Sequence, residues 1–238
     1  MFDDETLFDQ FWEASSLDRF NVRQFAQRLN SYDSDNKELM LEYPDAPEVL
    51  PQARTQVNKI AQKRSSKRNF SGKQLSLKEL GRILSSFYAW NGVEHRAYPS
   101  AGATYVTEVF CVAFNVERFT GKVIYYDPEK HGAVIVSDSA PSWEEASKSL
   151  NMEIRGIPNL LTIFVVFPQR AIAKYGERGG RFALLEVGAA VQQLSLQIAE
   201  SSRLKGVAVG GMLDGVWRQN IKLDNTDAQV ALGYLIGK

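Results

Sequence analysis

Hydrophobic and polar positions change their period along the chain, and these changes predict an amino-terminal arm followed by a mixed helix and strand core. Weak helical periodicity covers Leu7–Ala14 and Val22–Leu29, and a proline-bearing connector then runs from Tyr43 to Pro51. We therefore expect residues 1–50 to form a helical arm outside the main core and residues 51–238 to form a single domain.

The region beyond residue 50 mixes helical and strand-like patterns. Ser76 and Glu79 have the spacing of a capping box at the start of a helix that runs through Phe87. Further helices are predicted at Ala53–Lys63, Glu144–Leu150, Phe182–Leu204 and from Asp214, and strands at Val106–Glu117, Lys122–Tyr126, Ala133–Val136, Leu160–Phe167, Gly206–Val209 and Gln229–Ile236. Mainly antiparallel strands among helices predict an α+β fold, and 238 residues with 44% hydrophobic content suit one core.

Composition excludes several classes of function. Lysine plus arginine and aspartate plus glutamate number 28 each, so no net field attracts nucleic acid or an anionic membrane. The longest apolar run, Leu160–Phe167, is too short to span a bilayer, and the acidic start Met1–Glu5 is unlike a secretory signal. We expect a cytoplasmic protein with neither a nucleic-acid nor a membrane partner.

The chain also lacks the markers of common catalytic classes. Cys111 is the only cysteine and we expect it to be buried and structural, while His95 and His131 are the only histidines, so a metal site has little support. There is no Walker loop, no G-x-S-x-G and no G-x-G-x-x-G after a strand. Phosphoryl transfer, serine hydrolysis and Rossmann-type binding are therefore not indicated.

A cationic segment is the first candidate binding feature. No acidic residue occurs between Val49 and Lys78, and residues 64–68 have the sequence Arg-Ser-Ser-Lys-Arg. Arginine donates two parallel hydrogen bonds to a phosphate, and the hydroxyls of Ser65 and Ser66 can donate beside it. The segment is thus a candidate anion site, and a solvated helix end is the alternative.

Two segments of small residues are the second candidate feature. Pro99-Ser100-Ala101-Gly102 precedes a predicted strand, and Gly210-Gly211 follows one. Small residues allow the backbone to approach a flat ligand that bulkier side chains would exclude. Ordinary tight turns remain the alternative for both segments.

These segments, together with Lys174-Tyr175-Gly176-Glu177-Arg178 and the following Arg181 to Glu186, resemble the flavin-dependent nitroreductase superfamily and within it the SagB-type dehydrogenases. SagB-type enzymes oxidise azoline rings to azoles in ribosomally made peptides. The resemblance covers about Tyr43 to the carboxyl end. It implies a nitroreductase-like FMN-binding fold, an intertwined homodimer, and a cyclodehydratase and a precursor peptide as partners.

The resemblance also implies how FMN would be held. Arg64 and Ser66 would face the phosphate and ribityl chain, Arg68 would lie near the pyrimidine edge, and the N–H of Gly211 would lie near N5. The loop at residues 99–102 would reach the flavin bound mainly by the other subunit. Lys238 is a weaker candidate for the phosphate, with a solvent-exposed terminal lysine as the alternative. The cofactor-binding residues predicted in this way are Arg64, Ser65, Ser66, Arg68, Pro99, Ser100, Ala101, Gly102, Gly210, Gly211 and Lys238.

The resemblance makes Lys174 and Tyr175 the predicted catalytic residues, because they match a Lys-Tyr pair that ordinary nitroreductases lack. Oxidising an azoline removes a hydride and a proton from adjacent atoms, so the reaction needs a base beside the flavin. Lysine can act as one where its surroundings favour the neutral amine, and tyrosine can position the ring by hydrogen bonding. By spacing alone, a surface turn is the alternative.

Several positions depart from the family pattern. Gly180, Ala189 and Gln193 stand where tyrosine, histidine and asparagine are usual, and Thr104 and Val106 where leucine and proline are usual. The substrate could therefore differ from a standard azoline peptide. Two other functions stay open: an NAD(P)H-dependent nitro or quinone reductase, and a non-catalytic flavin-binding subunit of a biosynthetic complex.

Overall fold

A computed structural model describes residues 6–31, 50–51, 54–90, 95–224 and 226–238. The helices are α1 (Leu7–Ser15), α2 (Val22–Ser31), α3 (Gln56–Lys63), α4 (Leu77–Leu84), α5 (Trp143–Ser147), α6 (Gln169–Tyr175), α7 (Arg178–Glu200) and α8 (Asp214–Asn220). The strands are β1 (Thr107–Ala113), β2 (Lys122–Asp127), β3 (Gly132–Ser137), β4 (Leu160–Val166), β5 (Lys205–Val209) and β6 (Gln229–Gly237). Ser85–Phe87 and Ala101–Ala103 form short 3₁₀ turns.

The strands form one sheet in the order β3-β2-β1-β4-β6-β5, and each neighbouring pair is antiparallel. The central strands β1 and β4 are buried at every position. Strands covered on both faces have continuous apolar sequences rather than alternating ones, which explains the run at Leu160–Phe167. The predicted α+β class with an antiparallel sheet flanked by helices is confirmed.

Alternate side chains of the sheet enter two separate hydrophobic clusters. On β1, Val109 and Cys111 enter the cluster that includes α1, α4 and α7, whereas Phe110 and Val112 enter the cluster that includes α5 and α8. The sheet is therefore the middle of three layers. Cys111 is fully buried, as predicted, and burial raises the pKa of its thiol to about 12, so it is a packing residue.

Capping boxes define the starts of several helices. The Ser76 hydroxyl oxygen accepts a hydrogen bond from the Glu79 N–H, and the Glu79 carboxylate accepts one from the Ser76 N–H, as the sequence predicts. The same reciprocal arrangement joins Ser142 and Glu145 at α5. Each box satisfies backbone donors that the first helical turn would otherwise leave unpaired.

The structure corrects some predicted boundaries. The long helix begins at Arg178 rather than Phe182, because Gly179 and Gly180 belong to its first turn. A Cβ at Gly179 would meet the backbone of Ala171, so the missing side chain lets α6 and α7 pack closely. Helix α6 was not predicted at all. The predicted strand from Val106 to Glu117 ends at Ala113.

The helix predicted from Ala53 begins at Gln56, because the side chain of Thr55 accepts a hydrogen bond from the Asn58 N–H. Ala53 itself and the connector residues 43–49 lie outside the described residues. The predicted ends of the helix at 144–150 and of the long helix were also too late, since α5 ends at residue 147 and α7 at residue 200.

The predicted arm is attached to the core rather than outside it, as far as the described residues go. Phe8 and Trp12 of α1 are buried in the cluster shared with α7. The ring of Phe8 fills the space beside Gly180, where a Cβ would collide with it. Helix α2 has no buried residue. The first helix of the arm is therefore docked on the core, whereas the second lies at the protein surface. The domain boundary near residue 50 stays a prediction.

By length and composition alone, the 23-residue helix α7 could cross a membrane. A helix in the centre of a domain passes the same test. Ala183, Val187, Ala190, Leu194 and Ile198 all pack into the core cluster on the sheet, so the apolar character of α7 has a structural explanation within the fold.

Phe8→Ala tests the attachment of α1. Phe8 is 8% exposed, and truncating a buried phenylalanine removes apolar contacts and leaves a cavity, so we expect unfolding in urea to require about 3 kcal/mol less than in the wild type. Phe11→Ala, on the same helix at 55% exposure, is the matched control and should change stability by no more than about 0.5 kcal/mol. Equal losses would contradict the docking of α1.

Candidate functional site

The cationic segment lies along the edge of the sheet. The N–H of Lys67 donates to the Gly206 carbonyl of β5 (2.9 Å), and the Arg68 carbonyl accepts from the Arg155 N–H (2.8 Å). Arg64 ends α3 in an extended conformation. Side chains of an extended segment alternate between two sides, so Arg64, Ser66 and Arg68 share one side and are exposed.

The other side of this segment borders a separate cavity of about 360 Å³. Ser65 and Lys67 line it together with Lys63, Lys205 and Tyr234, where the end of α7 meets β5. Lysine and serine donors around this space favour an anionic group. Ser65 therefore faces a different space from Arg64, Ser66 and Arg68, the other cofactor-binding residues predicted in this segment.

The structure brings Arg68 and the glycine pair together. Arg68, Gly210 and Gly211 line one cleft of about 780 Å³, although they are more than 140 residues apart in sequence. A Cβ at Gly210 would meet no atom within 4 Å, and one at Gly211 would lie 3.0 Å from the Asn151 Cβ. Within the described part of the chain, the Gly211 N–H has no hydrogen-bond acceptor. The cleft therefore offers a ligand a backbone donor that has no acceptor among the described residues.

The loop at residues 99–102 meets the predicted catalytic pair. The ammonium of Lys174 donates to the Gly102 carbonyl (3.1 Å), and a Cβ at Gly102 would occupy the position of the Tyr175 hydroxyl. Gly102 has φ 57°, so both its backbone conformation and its surroundings require glycine. Lys174 and Tyr175 form the last turn of α6, with the Tyr175 ring edge-on to Phe182.

A buried carboxylate holds this loop in place. Glu186 of α7 is 3% exposed and accepts from the Ser100 hydroxyl (2.5 Å) and the Thr107 N–H (2.8 Å). The Tyr105 N–H in turn donates to the Ser100 oxygen (2.9 Å). On the other side, the Arg170 guanidinium of α6 donates to the Tyr105 carbonyl (2.9 Å). Each end of the loop is thus fixed to a helix that carries the site.

Lys238 has a partner of its own. Its ammonium pairs with Glu79 (2.8 Å) and donates to the Gln74 carbonyl (2.8 Å). The side chain is 22% exposed, so it is not the solvent-exposed lysine of the alternative interpretation. A contact between Lys238 and a phosphate would require this ion pair to open.

Helix α1 and the turn after it are tied to the candidate site. The Glu177 carboxylate, next to the predicted catalytic pair, accepts the Leu7 and Phe8 N–H groups at the start of α1. Asp214 accepts the Leu17 N–H (3.1 Å), and its own N–H donates to the Leu17 carbonyl (3.1 Å). The turn after α1 is thereby tied to the segment that follows Gly210 and Gly211.

Comparison with known proteins identifies the family of this chain. The Nitroreductase family model matches residues 61–238, which include the cationic segment, both glycine segments and the predicted catalytic pair. The chain belongs to the nitroreductase family. It is accordingly an oxidoreductase of the nitroreductase superfamily.

Two curated relatives cover much of this nitroreductase-family chain. MJ1384 of Methanocaldococcus jannaschii, which carries a nitroreductase name, is 31% identical over 192 residues, or 79% of this chain and 91% of the relative. The microcin B17-processing protein McbC of Escherichia coli is 28% identical over 164 residues, or 66% of this chain. The match spans 60% of McbC's own length.

Solved structures show the same fold. A chain of the E. coli microcin synthetase McbBCD complex with truncated pro-MccB17 bound is 25% identical with a TM-score of 0.68, covering 94% of this chain and 83% of that chain. A nitroreductase structure from Ralstonia eutropha is 22% identical with a TM-score of 0.62, covering 83% and 87%.

The structure bears on three of the five positions at which this nitroreductase-family chain departs from the family pattern, and it explains one of them. At Gly180, the aromatic ring of Phe8 occupies the space that a larger side chain would need, so an aromatic group is supplied by α1 instead. Ala189 is half-buried against the core cluster, and Gln193 is half-buried. Nothing in the structure explains the choice of glutamine at position 193.

Sequence analysis missed several residues that border the cleft. Phe25 and Leu29 of α2 and Asn151, Met152 and Glu153 line it beside Gly210 and Gly211. Phe25 and Leu29 are four residues apart and so share one face of a helix, which is a signal available in the sequence. Asn151–Glu153 follow α5 in an irregular segment, where no pattern marks them.

Glu186→Gln tests the hold on the loop. Glutamine keeps the size of the side chain but replaces one carboxylate oxygen with an NH₂ group, which cannot accept a hydrogen bond. One of the two hydrogen bonds from Ser100 and Thr107 is therefore lost, and we expect the free energy of unfolding in urea to fall by about 1–3 kcal/mol. Glu200→Gln is the control, because Glu200 lies on the same helix in an exposed ion pair with Arg82, and such pairs contribute about 0–1 kcal/mol. Ser100→Ala should cost less stability in the Glu186→Gln variant than in the wild type. Equal costs in the two backgrounds would contradict the shared hydrogen bond.

Asp214→Asn tests the tie between the arm and the site through its pH dependence. Burial raises the pKa of the Asp214 carboxyl to about 6, above the usual value near 4. The folded state then binds more protons than the unfolded state between about pH 4 and pH 6, so this group's contribution falls as pH rises. Between pH 4 and pH 7 we expect the free energy of unfolding of the wild type to fall by up to about 3 kcal/mol relative to that of Asp214→Asn.

The control for this titration has the opposite sign. Backbone hydrogen bonds from Lys130 lower the pKa of Asp127, so its contribution is lost as pH falls and the difference between wild type and Asp127→Asn should shrink in acid. Urea titrations at several pH values measure both. A pH-independent difference for Asp214→Asn would contradict the buried carboxyl.

Proposed function

We propose that this chain is an FMN-dependent dehydrogenase of the SagB type that oxidises azoline rings to azoles in ribosomally synthesised peptides. One observation carries the proposal: Lys174 and Tyr175 lie against Gly102, so the pair that distinguishes SagB-type enzymes meets the loop of small residues. The similarity to McbC, a microcin B17-processing protein, and to a chain of the McbBCD complex supports the same class.

The residues at the sheet edge fit FMN. Arg64 and Ser66 are exposed donors on one side of the extended segment, which suits a phosphate and a ribityl chain. Gly211 lines the same cleft as Arg68, and its N–H has no acceptor among the described residues. A backbone donor there would stabilise electron density on a flat ring. A volume of about 780 Å³ is large enough for such a ligand. When bound, FMN supplies the hydride acceptor.

Lys174 and Tyr175 have the proton-transfer role. Oxidation of an azoline ring removes a hydride, for which bound FMN would be the acceptor, and a proton from the adjacent ring atom. Lys174, as the neutral amine, would accept that proton as general base. The Tyr175 hydroxyl lies beside Gly102 and hydrogen-bonds the ring so that it is oriented for transfer. The hydrogen bond to the Gly102 carbonyl keeps the Lys174 side-chain nitrogen at this loop. Dioxygen or another acceptor takes up the electrons afterwards.

The proposed enzyme is a homodimer in which the loop and the pair act at the flavin held mainly by the other subunit. Leu184 and Leu185 of α7 are exposed at 40% and 68%, although α7 is otherwise a core helix. Exposed apolar side chains on a central helix are typical of a surface that another copy covers. The further partners are a cyclodehydratase, which forms the azoline, and the precursor peptide that carries it.

A nitro or quinone reductase is the second candidate, favoured by the nitroreductase name of the relative from M. jannaschii. That function needs the same flavin contacts but no Lys-Tyr pair. The two candidates therefore differ in the consequence of losing Lys174.

Lys174→Ala separates them. The wild type should take up FMN, seen as flavin absorbance, and oxidise a thiazoline-containing peptide. Lys174→Ala should lower the rate of peptide oxidation at least about 100-fold, because the general base is lost, while reduction of a small nitro compound persists. Tyr175→Phe, which keeps the ring packing, should lose less. The control Lys148→Ala removes an exposed charge directly after α5 and should leave both rates unchanged.

Three outcomes would contradict the proposal. A wild type without flavin uptake would remove its basis. Equal loss of nitro reduction and peptide oxidation in Lys174→Ala would favour a role of Lys174 in flavin binding. Bound FMN that no donor reduces and no peptide oxidises would favour the non-catalytic subunit.

A further inference from the structure

The cleft beside Gly210 and Gly211 has a wall that belongs to the arm. Phe25, Ala26, Leu29 and Asn30 of α2 line the same space of about 780 Å³ as Arg68. We propose that α2 is the substrate-facing wall of this cleft, and that Phe25 and Leu29 contact the five-membered ring of an azoline-bearing peptide. The inference rests on the function proposed above and adds a specificity-determining surface to it.

The first argument is the placement of Phe25. A Cβ at Gly211 would lie 3.3 Å from Cε1 of Phe25, so the aromatic ring lies beside this glycine and would crowd a side chain there. A flat ligand over that backbone would therefore meet the Phe25 ring at its edge or face. Leu29 follows four residues later on the same helical face, which extends the apolar wall along the cleft.

The second argument is that α2 does not use these side chains for the core. The helix has no buried residue, and Leu29 is 55% exposed. Apolar surface left in contact with water is unfavourable by about 25 cal/mol per Å². A ligand in the cleft would cover this surface, which is how apolar pocket walls contribute to binding.

The third argument is that α2 is held in position from outside the cleft. Leu17 and Asp214 exchange hydrogen bonds, and the Asn21 amide donates to the Ser16 carbonyl (2.8 Å). Asp18 accepts from the Phe20 and Asn21 N–H groups at the start of α2. The wall is therefore set by a hydrogen-bonded turn before any ligand binds, and such preorganisation lowers the entropic cost of binding.

The fourth argument concerns the other side chains that line the cleft. Asn30 and Asn151 supply amides that can pair with the N–H and C=O groups of a peptide, while Met152 adds a deformable apolar contact. Arg68 and Glu153 also line a neighbouring space of about 380 Å³ with Arg155. A peptide whose ring sits against Phe25 thus has a polar path by which its chain can continue.

Binding of a product peptide tests the wall without relying on turnover. FMN-loaded wild type, Phe25→Ala and Leu29→Ala are titrated by calorimetry with a short peptide that carries one thiazole. We expect the Kd to rise about ten-fold in Phe25→Ala, the effect of removing apolar contacts from a pocket, and less in Leu29→Ala. Phe20→Ala is the matched control, because Phe20 precedes the same helix and is 94% exposed, and its Kd should equal that of the wild type.

The flavin content of each variant, read from its absorbance, separates the possible failures. With normal flavin content, an equal Kd for Phe25→Ala and Phe20→Ala would overturn the wall and leave the proposed function intact. Loss of flavin in Phe25→Ala would also overturn it, because Phe25 would then serve the cofactor. A wild type that takes up no FMN would overturn the proposed function and this inference together.

Discussion

The carboxylate of Glu186 is the constraint on which the rest of the candidate site depends. It is buried on the central helix and accepts hydrogen bonds from both sides of the loop at residues 100–107. Within that loop, Gly102, Ala103 and Tyr105 have positive φ values of 57°, 54° and 41°, which cost about 1–2 kcal/mol for each non-glycine residue. The loop keeps this conformation because charge-assisted hydrogen bonds to Glu186 are stronger than neutral ones.

A fixed loop determines what can approach it. Gly102 lacks the Cβ that would exclude Tyr175, and its carbonyl accepts from Lys174, so the end of α6 lies where the loop allows. Arg170 on the same helix closes the arrangement by donating to the Tyr105 carbonyl and pairing with Glu108 (2.6 Å). Two segments distant in sequence are thus joined by several hydrogen bonds, and such support is what a site needs if its side chains are to be held in a fixed geometry.

Most of the fold followed from the sequence, since long apolar strands and capping boxes are local signals. Helix α6 did not, because it is short and begins at Gln169, after Pro168, without a side-chain cap. The start of α7 was misplaced for a related reason: Gly179 and Gly180 disfavour a helix by propensity, yet the approach of Ala171 and Phe8 requires them. In both places a tertiary contact outweighs the local preference of the residues.

The candidate site likewise has a part that local sequence predicts and a part that depends on tertiary packing. Which segments contain candidate residues could be predicted, because residue types such as arginine, serine and glycine limit the chemistry of a segment. Which of them meet could not, because the contacts of Arg68 with the cleft, of Lys238 with Glu79 and of Phe25 near Gly211 depend on how the layers stack. The arm has only weak helical periodicity, so its sequence says little about where it packs. Its contribution to the cleft can therefore only be inferred from the packed structure.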